Sequence, residues 1–155
     1  MKILLFPYAK PLRNGNKNPK NYPWWKEFSS LLIKENHTLI QVGVDNEEQL
    51  VGDFRKNLSI NDLSQLMKDS DTWISVDSFG QHLGWHLNIR GMVIFGQSDP
   101  IIFGHNENVN VLKSRNYLRK NQFWLWEQAE YNEDAFNTPS ELLNIFKNNF
   151  INNKG

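Results

Sequence analysis

Residues 73–87 read WISVDSFGQHLGWHL, and this stretch decides the architecture. An apolar run, Trp73–Val76, enters Asp77-Ser78-Phe79-Gly80 and then a short helical pattern over Gly80–Leu87 that carries His82 and His86. Strand, tight polar corner and helix in that order are one step of a parallel α/β sheet. Similar steps occur on either side. Ile3–Phe6, Thr38–Val42, Met92–Phe95 and Val109–Leu112 are further short apolar runs, and Gly52–Asn57 reads as a connection or short strand. Helical patterns separate them: one from Pro23 with Trp24, Phe28, Leu31 and Leu32 on one face, a short one over Glu47–Leu50, and one opened by Ser59 with Asp62 three residues on. Thr138-Pro139-Ser140-Glu141 is a capping box that starts a final helix over about 139–149. The expectation is one α/β domain over residues 1–155, a Rossmann-like, doubly wound, mostly parallel sheet with helices on both faces.

Composition narrows the classes. The 155 residues carry 17 basic and 17 acidic side chains and no cysteine. A balanced charge argues against a nucleic-acid binder driven by a basic excess. Without cysteine there is no disulfide framework, thiolate zinc site or cysteine nucleophile. No apolar run approaches the roughly 18 residues of a membrane span. The apolar start at Ile3–Phe6 is shorter than a signal-peptide core of about 7–15 residues, so a cytoplasmic protein is expected. The abundance of asparagine reads as a trait of the coding genome, not of chemistry.

In open parallel sheets, ligands bind beyond the carboxyl ends of the strands. Three features fall there: the cationic loop 8–22 with Lys10, Arg13, Lys17 and Lys20; Gly43–Glu47; and Asp77–His82. The amides that open a helix point outward with partial positive charge, so a phosphate can sit on the Ser78–His82 backbone, with the Ser78 hydroxyl as a further donor. Gly80 would let an anion approach closely. The bland alternative is that Asp77 or Ser78 only caps the helix. Loop 8–22, with Lys20 as its best candidate, could neutralise a diphosphate or be merely solvated; unstructured loops of about 15 residues are uncommon enough to favour a role. Glu47 could accept hydrogen bonds from ribose hydroxyls, as acids beyond the second strand do in dinucleotide folds, or be an exposed helix-start acid. His82 and His86 are four apart, but no third ligand or D-x-D pair accompanies them, and no metal or cofactor is expected. Ser98 or Asp99 could cap or touch ligand, and Phe123, Trp124, Trp126 and Tyr131 could stack a base or sugar or simply pack. Neither a G-x-G-x-x-G fingerprint, a P-loop nor a G-x-S-x-G elbow is present.

Four pieces in order, Lys20-Asn21-Tyr22-Pro23, Gly43 to Glu47, Asp77-Ser78-Phe79-Gly80-Gln81-His82 and Phe95-Gly96-Gln97-Ser98-Asp99-Pro100, resemble the C-terminal, donor-binding domain of heptosyltransferase-like glycosyltransferases (glycosyltransferase family nine, GT-B architecture). The resemblance covers residues 3–105 and the final helix. It implies that a nucleotide-diphospho-sugar binds, with Lys20 at the phosphates or sugar and Glu47 at the ribose. Asp77 would meet the sugar or position its loop, and Ser78, Gly80, Gln81 and His82 would surround the diphosphate. The family places glycine directly after D-[ST]; here Phe79 stands there and Gly80 follows. The acceptor-binding half, which in that family supplies the catalytic base, has no counterpart in the sequence. Sugar transfer is therefore expected to need a partner subunit or a second copy. Two rival classes stay open: a binding or sensing module without turnover, and an interaction protein that keeps the fold and uses the Trp-rich 123–131 region. Retention of Lys20, Glu47, Asp77, Ser78 and His82 argues against the last.

Overall fold

Both faces of the sheet are covered, which is why its strands are nearly continuous apolar runs. The computed structural model describes residues 1–152. Six parallel strands run β1 (Lys2–Phe6), β2 (Thr38–Gly43), β3 (Phe54–Lys56), β4 (Thr72–Val76), β5 (Met92–Phe95) and β6 (Val109–Leu112). Their spatial order is β3-β2-β1-β4-β5-β6, the classic dinucleotide-fold order with its reversal point between β1 and β4. The expected α/β architecture is thus formed.

Alternate residues of β1 feed two cores. Ile3 and Leu5 join Ile74, Val76, Met92 and Ile94 under α1 (Trp25–Lys34) and α5 (Pro139–Phe146). Leu4 and Phe6 join Ile40, Val42, Trp73 and Val93 under α2 (Ile60–Lys68) and α3 (Phe79–His86). Trp73 is fully buried, and its indole donates to the Ile89 carbonyl at 2.8 Å. A Cβ on Gly84 or Gly91 would lie 2.4 or 2.2 Å from that ring, so both positions need glycine for packing.

Local signals in the sequence set the helix starts. The Ser59 hydroxyl accepts from the Asp62 amide at 3.1 Å at the head of α2. Thr138 and Glu141 complete a reciprocal capping box on α5, which runs on as a wider π turn over Lys147–Ile151. A helix that the sequence hides, α4 (Pro100–Phe103), is capped by Asp99. The short helix expected over Glu47–Leu50 is not formed. Gln41, fully buried on β2, donates to the Glu48 carbonyl at 2.8 Å and accepts from the Leu50 amide at 2.7 Å. Those bonds hold the segment out of a helix and satisfy a polar side chain inside the sheet. Among the described residues, no helix is long and apolar enough to cross a membrane.

Candidate functional site

A cavity of about 730 Å³ opens at the carboxyl ends of β1, β2 and β4, beside the reversal point. Its walls are the loop after β1, the end of β2 with residues 55–63, the start of α3, and residues 124–127. Lys20, Glu47, Asp77, Ser78 and Gly80 all line it; Gln81 and His82 do not.

The corner between β4 and α3 is built around Asp77. Its carboxyl is 5% exposed, and Oδ1 accepts from Gln81 Nε2 at 2.6 Å. Gln81, itself fully buried, stands behind the carboxylate as a positioning residue. Lys20 Nζ lies 3.3 Å from Asp77 Oδ2. That is ion-pair distance without hydrogen-bond alignment, and Oδ2 has no hydrogen-bond partner. Asparagines aim Lys20. Asn18 Oδ1 accepts from the Lys20 amide at 3.0 Å while its Nδ2 donates to the Lys10 carbonyl, and Asn21 Oδ1 accepts from the Ala9 amide at 2.8 Å. Tyr131 donates to the Asn21 carbonyl at 2.7 Å. Loop 8–22 is therefore tied down by side-chain to backbone bonds, the chemistry Asn brings to turns.

Ser78 occupies the N-cap position of α3, yet its side chain makes no capping bond. The first-turn amides and the hydroxyl are thus free for another acceptor. Gly80 has a different reason than close approach of an anion. A Cβ there would sit 2.5 Å from Phe6 Cγ, so glycine lets α3 lie on a buried ring of β1.

The second corner lies at the end of β2. Glu47 Oε1 accepts from the Val44 amide at 3.3 Å, and Oε2 is buried without a partner. A Cβ on Gly43 would fall 2.4 Å from that oxygen, so Gly43 provides the space the carboxyl occupies. Burial pushes the Glu47 carboxyl above its ordinary range, opposed by the Val44 bond. Burial and the charges of Glu48 and Glu47 push the nearby Tyr8 phenol up to about 12.

His82 turns away from this site. Its Nδ1 lies 2.8 Å from His105 Nε2, and His105 stacks on Trp85 with ring centres 4.7 Å apart. Burial and the neighbouring His105 lower the His82 pKa, with Asp77 acting in opposition. No group of three potential metal ligands occurs among the described residues. Asp99 caps α4 and takes a bidentate ion pair from Arg115, at 3.0 and 2.8 Å, which makes it structural. The wall formed by residues 124–127 includes Trp124 and Trp126, which the sequence leaves open between stacking a ligand and packing. Asn18 and Asn21 were missed. Their signal was an Asn-rich loop next to a candidate cation.

No family model and no curated protein matches the sequence. Solved structures do. The chain superposes on the ADP-heptose LPS heptosyltransferase II of E. coli with a TM-score of 0.70 at 16% identity, over 99% of this chain and 47% of that one. The dodecameric, iron-containing glycosyltransferase TibC of enterotoxigenic E. coli matches at 0.70 and 12%, over 94% and 45%. E. coli heptosyltransferase WaaC matches at 0.67 and 16%, over 95% and 43%. The fold is that of one Rossmann-like half of a heptosyltransferase-like, GT-B glycosyltransferase. The chain spans less than half the length of each of these proteins.

Proposed function

We propose that the cavity binds a nucleotide-diphospho-sugar and that the chain acts as the donor-binding half of a glycosyltransferase. One observation carries this reading. At the cavity wall Glu47 keeps a buried oxygen without a partner and Asp77 one held only by the ion pair to Lys20, and the uncapped start of α3 shares the same wall. Leaving a buried acceptor unpaired costs about 1–3 kcal/mol. Hydroxyl-bearing groups flanking a diphosphate would supply the missing donors: ribose at Glu47, sugar at Asp77, with the phosphates on Lys20, the Ser78 hydroxyl and the first amides of α3. In this reading Gly80 and Gln81 shape the phosphate corner, and His82 reaches it only by leaving His105. Relatives of the same fold have been captured with ADP-D-beta-D-heptose and with ADP, which supports a ligand of this class.

Transfer would proceed by displacement at the anomeric carbon. The acceptor hydroxyl oxygen forms the new bond, and the bond from that carbon to the diphosphate oxygen breaks with its electron pair on the diphosphate. Lys20 and the α3 amides stabilise that developing charge. The acceptor hydroxyl must lose its proton to a base within hydrogen-bond reach. We assign the base to an acceptor-side domain that completes the site. A second reading, donor binding without turnover, keeps the same site and dispenses with the acceptor-side domain. A nucleoside diphosphate at 100 times its dissociation constant should stabilise the chain by about 2.7 kcal/mol. The Lys20→Ala/Ser78→Ala double variant should fold normally and lose that stabilisation. Undiminished affinity in the double variant would remove the site. Sugar transfer in the presence of an acceptor-type domain would separate the first reading from the second.

A further inference from the structure

The wall beside the phosphate corner is held by as many bonds as the corner itself. Trp126 lines the cavity, and the Arg119 guanidinium lies 3.5 Å from the centre of its ring. Arg119 also donates to the Leu125 carbonyl at 3.2 Å, to the Gln122 carbonyl at 3.1 Å and to the Trp124 carbonyl. Gln122 ties the segment to the end of β5 by donating to the Gln97 carbonyl at 2.9 Å. Asn14 ties it to the loop after β1 by donating to the Glu127 carbonyl at 3.2 Å. A segment without a strand or α-helix is thus pinned at three points.

Its position along the cavity is informative. Lys20 Nζ, 3.3 Å from Asp77, lies over the Trp126 ring at 5.1 Å from its centre, so a sugar reaches that ring as Lys20 swings to the phosphates. Glu47, in the loop after β2, lines the same cavity, where Val42, Val44, Leu58 and Ile60 supply an apolar lining. A ligand laid with its base and ribose at the β2 end and its diphosphate at Lys20 carries its remaining group to Trp126. The face of an indole is electron-rich, and the C–H face of a pyranose is its natural complement. We propose that Trp126, held by Arg119, is the sugar-side wall of the site and a determinant of donor specificity. This rests on the donor-binding reading above and adds the residue that separates a nucleotide sugar from a bare nucleotide.

The test is calorimetric titration of the full chain with ADP, GDP, UDP, CDP and dTDP, and with glucose and mannose conjugates of those diphosphates. Wild type should bind at least one conjugate more tightly than its parent diphosphate. Trp126→Leu should lose about fivefold to tenfold for that conjugate and less than about twofold for the parent. Trp126→Phe, which keeps an aromatic face and controls for folding, should recover most of the loss. Equal affinity of conjugate and parent in wild type would overturn the proposal, as would an equal loss for both in Trp126→Leu. Either result leaves the diphosphate site standing. Absence of binding by any diphosphate would remove the donor-binding reading and this proposal together.

Discussion

The two carboxylate corners of the cavity differ in what surrounds them. Asp77 has a cation 3.3 Å away and a buried amide donor at 2.6 Å. Glu47 has one backbone amide at 3.3 Å, and burial pushes its carboxyl up. A corner that already holds a lysine can receive an anion, because the cation weakens the repulsion between the carboxylate and the incoming charge. A corner without one suits neutral hydroxyls. The glycine beneath each corner repeats the contrast. Gly80 is required by the buried ring of Phe6, part of the core, whereas Gly43 is required by the end of the Glu47 side chain itself. One corner is welded to the fold, and the other is shaped by its own carboxyl.

The largest effect should come from the glycines. Gly80→Ala forces a methyl group to within 2.5 Å of a ring that cannot retreat, and should cost about 1–3 kcal/mol in urea unfolding. Gly43→Ala should cost far less stability, because the flexible carboxyl can move, while weakening nucleotide binding. Equal stability losses would break the comparison. Next in size, Lys20→Met should lower affinity for a nucleoside diphosphate roughly tenfold to a hundredfold by calorimetry. The two carboxylates should then differ in sign. Asp77→Asn should lower the melting temperature by weakening the Lys20 pair. Glu47→Gln should raise it or leave it unchanged at neutral pH, while costing about fivefold in nucleotide affinity. The reason is linkage. The Glu47 carboxyl is raised above its ordinary 4.5 in the fold, so the stability it contributes is full in acid and is lost as pH rises through the elevated value. The gap between variant and wild type should therefore widen on going from acid to neutral pH. The smallest effect belongs to Ser78→Ala. With no capping bond to lose, it should leave the melting temperature unchanged and weaken diphosphate binding by about threefold or less. Ser59→Ala, which removes a true cap, should cost about 1 kcal/mol of stability instead.

Much of this architecture is legible in the sequence because burial on both faces writes β1, β2, β4 and β5 as short apolar runs. Caps at Ser59 and Thr138 are local and equally readable. What failed is non-local. Acids after a strand suggest a helix start, but the buried amide of Gln41 ties down residues 48 and 50 from seven to nine positions away. Gly80 looks like an anion-approach glycine until the ring of Phe6, far earlier in the chain, is placed beneath it. The wall at residues 124–127 depends on Arg119 closing back on Trp126 and on Asn14 reaching across from the first loop. An aromatic run alone does not distinguish that from core packing. Lys20, Glu47, Asp77, Ser78 and Gly80 line one cavity because strand ends gather at one edge of a parallel sheet, whatever the rest of the chain does.

A crystal structure of the chain with a bound nucleoside diphosphate tests the central claim most directly. The account predicts phosphate oxygens within about 3 Å of the Phe79–Gln81 amides and of Lys20 Nζ, and ribose hydroxyls on Glu47. Phosphates bound away from the β4–α3 corner, with Lys20 still on Asp77, would contradict it.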